Sequence, residues 1–241
     1  MPVSSELSIK DAKREPVFIS LMLAGPSGAG KTYSALRLAR GLSPSGLIVL
    51  IDTEVKPASL YADEFKFKRI ALPKPFEPER YREAIKLAMT LKPAVLIIDS
   101  ATHEWMGSGG ILSSLDKMPG TNQMIKWKDL TPRHDRFVDA AVSQRCHTIV
   151  CCRAKERYSM EEVKRDDGTK KVEVRRVGLR PIQRRDFFYD FMVSFVLDPD
   201  SNNARLLNNT TQYYRGWTPH PLTEADGKAL AKWAAEGGKK K

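Results

Sequence analysis

Residues 17–42 read VFISLMLAGPSGAGKTYSALRLARGL, an apolar run that breaks into small residues and then resumes at helical spacing. The run from Val17 to Ala24 predicts a buried strand, and Tyr33 to Arg40 predicts a helix that ends at Gly41. The break between them fits G-x-x-x-x-G-K-[ST], the phosphate-binding loop known as Walker A. A strand, a loop of this type and a helix together predict an α/β P-loop NTPase.

The chemistry of the loop follows from its small residues, which let backbone amides approach phosphate oxygens closely. Lys31 is expected to neutralise the β and γ phosphates, and Thr32 to offer its hydroxyl to magnesium (Mg²⁺). The following helix aims its positive N-terminal end at the same anion. The alternative is a chance glycine-rich turn. The residues predicted to contact ATP are Gly25, Pro26, Ser27, Gly28, Ala29, Gly30, Lys31, Thr32 and Tyr33.

Two later apolar runs end in carboxylates. Asp99 closes AVLIID and has the Walker B form, so it is predicted to share a Mg²⁺ ion with Thr32. Asp52 and Glu54 close LIVLIDTE, and Glu54 is the candidate for polarising the attacking water. Two alternatives stay open: Asp52 and Glu54 are structural caps, or the base is Glu104.

Composition narrows the class of protein. The 241 residues carry 40 Lys and Arg against 29 Asp and Glu, a net charge of +11, which favours a polyanionic partner. The three cysteines lack paired ligand spacing, so reduced, buried thiols are expected rather than a metal site. Because the apolar runs are short and the first residues are polar, we expect a cytoplasmic protein with no membrane contact.

Strand and helix patterns alternate after residue 16, which predicts a mostly parallel central sheet flanked by helices. We divide the chain into a polar segment (1–16), an ATPase domain (17–236) and a basic tail (237–241). Asp167-Gly168 predicts a hairpin over 157–177 inserted in that domain, and a C-terminal antiparallel hairpin extends the sheet. Residues 107–122 are too rich in Gly and Ser for core, a helix is predicted over 132–143, and a strand over 189–197.

Three segments, LMLAGPSGAGKT, LIVLIDTE and VLIIDS, resemble the RecA-type core, in which the glutamate closing the second strand is the catalytic carboxylate. More closely, DTEVKPASLYADEF, HTIVCCRAKERY and VGLRPIQRRDFFYDF are similar to phage-encoded ATPases with a reduced RecA-like core, a family that includes Sak-type single-strand annealing proteins. The resemblance covers residues 17–198. It implies ATP hydrolysis, single-stranded DNA as partner, and a ring or filament of identical subunits, with a single-strand-binding protein as a further partner.

The resemblance also places the strand that begins at His147 between the Walker A and Walker B strands. Arg153 and Lys155 would then emerge near the γ-phosphate, in their own subunit or a neighbouring one. Similar RecA proteins carry Gln where Arg153 aligns, which suggests a cationic sensor here. The alternative is a solvated basic loop.

RecA-like proteins hold DNA with the loops that follow the third and fourth main strands. In this chain the corresponding loops are residues 103–126 and 156–182. Residues 153–185 carry 12 Lys or Arg against 6 Asp or Glu, and the alternative to a DNA contact is a solvated hairpin. The predicted DNA-binding residues are Lys164, Arg165, Lys170, Lys171, Arg175 and Arg176. Two other functions stay open: an assembly or loader ATPase that acts through a protein partner, and a small-molecule P-loop kinase.

Overall fold

The computed structural model describes residues 9, 11–164 and 170–236, without the side chains of 161–164, 170, 173 and 176. The predicted Asp167-Gly168 turn, the tail 237–241 and most of 1–10 lie outside the described residues. The strands are β1 (Ser20–Gly25), β2 (Ile48–Asp52), β3 (Lys68–Ala71), β4 (Val95–Asp99), β5 (His147–Lys164), β6 (Lys170–Pro181), β7 (Val193–Leu197), β8 (Asn203–Asn209) and β9 (His220–Pro221). The helices are α1 (Lys31–Leu42), α2 (Pro78–Thr90), α3 (Thr102–Met106), α4 (Ile111–Lys117), α5 (Gln123–Val142) and α6 (Glu224–Ala235).

The strands form a mostly parallel sheet in the order β3-β2-β4-β5-β1-β7-β8-β9. Strands β8 and β9 add antiparallel pairs at one edge. Helices α1 and α6 pack on one face, and α2 and α5 cover the other, so β1, β2 and β4 are buried along their whole length. The predicted fold class is confirmed, and β5 lies between β4 and β1 as expected.

Helix α1 does not stop at Gly41, and that prediction is wrong. A Cβ atom on Gly41 would lie 2.1 Å from the carbonyl oxygen of Glu224, and one on Gly227 would lie 2.4 Å from that of Leu38. The two glycines therefore let α1 and α6 cross in backbone contact, a packing role that a helix-ending signal does not reveal. Helix α6 begins at a capping box that Thr223 and Asp226 form.

The segment 107–122 was expected to be a connector outside the core, but it contains α4 and the fully buried Ile111. Helix α5 begins at Gln123 rather than at 132, because the side chain of Asn122 caps it by accepting from the amides of Met124 and Ile125 at 3.0 and 3.3 Å. The helix runs through Pro132, since its packing against α2 outweighs the cost of a proline.

The remaining elements are an antiparallel ribbon and the strand β7. Strand β5 leaves the sheet and pairs with β6 as an antiparallel ribbon, from Ala154 opposite Pro181 to Lys164 opposite Lys170. The strand predicted over 189–197 begins only at Val193, since residues Phe187–Asp190 form a 3₁₀ turn. Among the described residues, no helix has the length and hydrophobicity to cross a membrane.

Candidate functional site

The loop after β1 has the backbone geometry of a phosphate cradle. Gly28 and Gly30 have φ angles of +87° and +75°, which favour glycine over residues with a Cβ atom. The amide of Ala29 donates to the carbonyl of Pro26 at 3.3 Å, and that of Ser34 donates to Gly30 at 2.8 Å, so the loop folds back and leads directly into α1.

A cleft of about 530 Å³ opens above this loop. Its walls combine the loop, the ends of three neighbouring strands and the segment after β2. They are formed by Ser27, Gly28, Gly30, Lys31, Thr32, Glu54, Asp99, Arg153 and several residues of 55–61. The ammonium group of Lys31 donates to the carbonyl of Pro26 at 2.8 Å, within its own loop. It is therefore held at the cleft by a neutral partner that a phosphate oxygen can replace.

Asp99 lies at the bottom of the cleft and is 2% exposed. One of its oxygens, Oδ2, accepts a hydrogen bond from the hydroxyl of Thr32. The other, Oδ1, is buried without a hydrogen-bond partner among the described residues. Burial raises the pKa of Asp99 to about 6, because the charged form is desolvated. A buried carboxylate oxygen without a partner, beside a threonine hydroxyl, is the kind of donor set that suits Mg²⁺.

Glu54 and Arg153 meet across the cleft in a two-pronged ion pair. Arg153 Nε donates to Glu54 Oε1 at 3.0 Å, and Nη2 donates to Oε2. Burial of the Glu54 carboxylate opposes its ionisation, but the hydrogen bonds from Arg153 outweigh that effect and hold its pKa below the usual value. The same pair raises the pKa of Arg153. Glu54 is therefore charged, and its two oxygens are engaged by the guanidinium.

Asp52, unlike Glu54, does not line the cleft. It is 3% exposed and accepts from the amides of Glu54 at 3.0 Å and Ala58 at 2.8 Å, while Arg69 Nε donates to it at 2.7 Å. The structural alternative thus applies to Asp52 alone. Its bonds fix the start of the segment that carries Glu54.

Glu104, the alternative base, is fully buried away from the cleft. His134 Nδ1 lies 3.0 Å from its Oε1, and Gln183 Nε2 donates to Oε2 at 3.1 Å and to the carbonyl of Ala101 at 3.0 Å. Because no face of Glu104 is open to the cleft, the geometry favours Glu54 for contact with a water there.

Other residues predicted to contact ATP or to act in catalysis lie outside the lining of the cleft. Lys155 is exposed on β5, opposite Arg180 of β6. Tyr33 turns towards the aromatic rings of Tyr61 and Phe65, and its hydroxyl donates to Glu64 at 2.7 Å. Gly25, Pro26 and Ala29 belong to the loop but lie on its side away from the cleft.

The predicted DNA-binding residues fall on the β5–β6 ribbon. Lys171 and Arg175 are exposed on β6, four positions apart and so on one face of the strand. The side chains of Lys164, Lys170 and Arg176 and the whole of Arg165 lie outside the described part of the chain. Among the residues that are described, no group of three or more His, Cys, Asp or Glu is arranged to hold a metal ion.

A family model described as an AAA domain matches residues 18–179, about two thirds of the chain. The chain belongs to this AAA-domain family. The family is one of P-loop ATPase domains, which agrees with the loop and the sheet described above. No curated protein matches the chain.

Two features of the AAA domain were not predicted from the sequence. The pairing of Glu54 with Arg153 joins residues 99 positions apart, and only the strand order β2-β4-β5 brings them together. The segment over 55–61 forms one wall of the cleft through Val55, Pro57 and Tyr61. Its position directly after a strand tip is the only signal in the sequence that could have indicated this.

Proposed function

We propose that the protein is a Mg²⁺-dependent ATP hydrolase that acts on single-stranded DNA in recombination or strand annealing. One observation supports the hydrolase most strongly. The loop lysine, the hydroxyl–carboxylate pair of Thr32 and Asp99, and the carboxylate of Glu54 all line a single cleft. A site with these groups has a phosphate cradle, a metal-binding corner and a carboxylate within it for a water molecule.

In binding, Lys31 exchanges the carbonyl of Pro26 for oxygens of the β and γ phosphates. The loop amides and the N-terminal end of α1 face the same anion. Thr32 and Asp99 are the residues that would hold Mg²⁺, which neutralises charge that develops on the phosphate oxygens. The orphaned Oδ1 of Asp99 supports this assignment, because it leaves a buried acceptor ready for a cation.

In hydrolysis, Glu54 orients and polarises the attacking water. Glu54 can do so only when its ion pair with Arg153 opens. While both carboxylate oxygens accept from the guanidinium, Glu54 is a poor acceptor for a water proton. A γ-phosphate offers Arg153 an alternative anion, so the arrival of ATP shifts the guanidinium and frees Glu54. ATP itself thus completes the hydrolytic site.

Single-stranded DNA as the partner is supported by charge. The chain carries a net +11, and the ribbon of β5 and β6 extends from the sheet with exposed Lys171 and Arg175. The similarity to Sak-type annealing proteins of phages favours recombination, a ring or filament of identical subunits, and the cytoplasm of a bacterial host. A single-strand-binding protein would then be a partner in the same reaction.

Two other functions make different predictions for the same assay. An assembly or loader ATPase would be stimulated by a protein partner and not by DNA. A small-molecule kinase would transfer phosphate to an acceptor, whereas Glu54, the carboxylate directed at the cleft, favours water as the acceptor.

The test is phosphate release from Mg²⁺·ATP by the purified chain, with and without an oligothymidylate, alongside its oligomeric state in each condition. The proposal predicts release without any added acceptor and faster release with DNA. Turnover that DNA leaves unchanged would contradict the DNA part alone. Phosphate release that requires an acceptor molecule would support the kinase instead.

A further inference from the structure

A second cavity lies beside α5, outside the ATP cleft. Its volume is about 310 Å³, and its walls are Trp105, Trp127, Thr131, His134 and Arg184. The volume lies at the lower end of the range for small-molecule sites, about 300–1,000 Å³. The two indole rings are nearly parallel, with an interplanar angle of 22° and centroids 5.9 Å apart. The cavity thus offers flat aromatic surface of the kind that stacks on another planar ring.

His134, which lines the cavity, has a buried polar atom without a partner. His134 is 1% exposed, and its Nδ1 lies 3.0 Å from the Glu104 carboxylate, which only accepts when ionised. The contact with the carboxylate occupies Nδ1, so Nε2 is the second polar atom of the ring. Nε2 is buried and has no hydrogen-bond partner among the described residues. A ligand that brings a hydrogen-bonding group to Nε2 would satisfy it, whereas a purely apolar ligand would not.

Charged side chains, three of them cationic, stand around the cavity. Arg184 lines it, although this side chain is paired with Asp135 and Asp186. Lys128 and Arg185 are exposed next to lining residues, and neither forms an ion pair with a residue that the structure describes. Arg184 follows Pro181, the last residue of β6, so the cavity opens at the foot of the basic ribbon. A polyanion that follows the ribbon would pass this opening.

We propose that the Trp105–Trp127 cavity binds one unpaired nucleobase of a single-stranded nucleic acid. A base supplies a planar ring for the two indoles, and its pairing edge carries hydrogen-bonding groups for His134 Nε2. Its phosphates lie towards Lys128 and Arg185. In a duplex the pairing edges are already occupied, so the cavity selects single strands. This inference rests on the proposed action on single-stranded DNA and adds the residues that recognise the unpaired state.

The cavity is also joined to the ATP cleft by direct contacts. The amide of Arg153 donates to the hydroxyl of Thr102 at 2.8 Å, at the start of α3. Helix α3 carries Glu104, which contacts His134, and Trp105, whose ring meets that of His134 edge-on at 5.2 Å. Helix α3 therefore contacts the backbone of Arg153 at its start and lines the cavity with Trp105 near its end.

The experiment uses the full-length protein and a 5′-labelled oligothymidylate. Anisotropy of the label reports binding anywhere on the protein, and quenching of tryptophan fluorescence reports engagement of the cavity. We expect quenching in the wild type, retained in Trp233→Phe, whose ring packs on Tyr213 and Arg14 instead. Trp127→Ala should weaken binding by about 10- to 100-fold, and Trp127→Phe should restore most of the affinity, because a stacking face is kept.

Thr131→Glu provides a second variant that removes no aromatic packing. It puts a carboxylate at the half-buried wall of the cavity and should also weaken oligothymidylate binding, while fluorescent ATP analogues still bind at the cleft. Unquenched binding with equal affinity in Trp127→Ala would overturn the inference and leave the DNA-dependent function standing. No binding of oligothymidylate to the wild type would overturn both. Quenching by thymidine monophosphate at the same concentrations as the oligomer would overturn the assignment to a nucleic-acid strand.

Discussion

The Glu54 carboxylate gives the sharpest prediction, because the chain contains a matched ion pair outside the cleft. In Glu54→Gln only the amide oxygen can still accept from Arg153, because the –NH2 group is a donor, and the water loses its base. The same atoms pair in Arg133 and Glu79, with Nε donating to Oε1 at 2.9 Å and Nη2 to Oε2 at 2.7 Å. Glu79→Gln therefore breaks an equivalent pair between α2 and α5 without touching the cleft.

The two variants should lose similar stability but differ strongly in hydrolysis rate. The Glu54 pair has side-chain exposures of 20% and 39%, and the Glu79 pair of 41% and 29%, so each contributes about 1 kcal/mol or less to the free energy of unfolding. General-base assistance accounts for about 10²–10⁴-fold in rate. At about 1.4 kcal/mol for each factor of ten, losing it raises the activation free energy by about 3–5 kcal/mol.

The assay is single-turnover phosphate release, beside equilibrium binding of a fluorescent ATP analogue and thermal unfolding. Glu54→Gln should bind ATP at least as tightly as the wild type, because one negative charge leaves the cleft, and should hydrolyse it about 10²–10⁴-fold more slowly. Glu79→Gln should match the wild type in both. Wild-type hydrolysis in Glu54→Gln, or equal slowing in both variants, would refute the assignment of the base.

Four other predictions address separate parts of the account. Lys31→Ala should abolish tight ATP binding, since the cation facing the β and γ phosphates is lost; an unchanged dissociation constant in calorimetry would remove the site assignment. The pKa of Asp99 is raised to about 6, so the carboxylate is protonated below that pH, and Mg²⁺-dependent ATP affinity should fall about tenfold per pH unit there but stay level above it; Asp99→Asn should lack the inflection. Replacing Lys171 and Arg175 by Gln should lower the slope of log affinity for single-stranded DNA against log salt by about 1.4, and an unchanged slope would argue against the ribbon. Gly227→Ala should lower the free energy of unfolding by about 1–3 kcal/mol, because its Cβ would meet the carbonyl of Leu38; wild-type stability in a denaturant titration would contradict the close crossing of α1 and α6.

The parts of the fold that could be predicted from the sequence are those that residues close together in the chain determine. The loop signature fixes its own backbone, because it needs glycine at positions of positive φ such as Gly28 and Gly30. Buried strands such as β4 read as continuous apolar runs, and the capping box at Thr223 marks the start of α6. These features depend on neighbours within a few residues, which the sequence shows directly.

The parts of the fold and site that the sequence did not predict depend on contacts between segments far apart in the chain. Gly41 resembles a helix end in sequence, but its role is set by the backbone of Glu224 across the α1–α6 crossing. The buried contact between Glu104 and His134 removes a candidate base, and no spacing rule joins residues 30 positions apart on two helices. The structural role of Asp52 likewise depends on Arg69, which β3 presents beside it.

The same limit applies to the tryptophans. Trp105 and Trp127 suit packing roles when each is considered alone in the sequence. Only the approach of α3 to α5 places their rings face to face beside His134. Sequence reasoning could identify Trp127 as notable, because it stands between Lys126 and Lys128, but could not supply the cavity.

The most direct test of the central claim is phosphate release from ATP by the wild-type chain, measured with Mg²⁺ and again with the metal chelated. If the cleft of Lys31, Thr32 and Asp99 holds Mg²⁺·ATP beside Glu54, release occurs with the metal and stops without it. Release that proceeds equally well in EDTA, or that persists unchanged in Lys31→Ala, would contradict the claim.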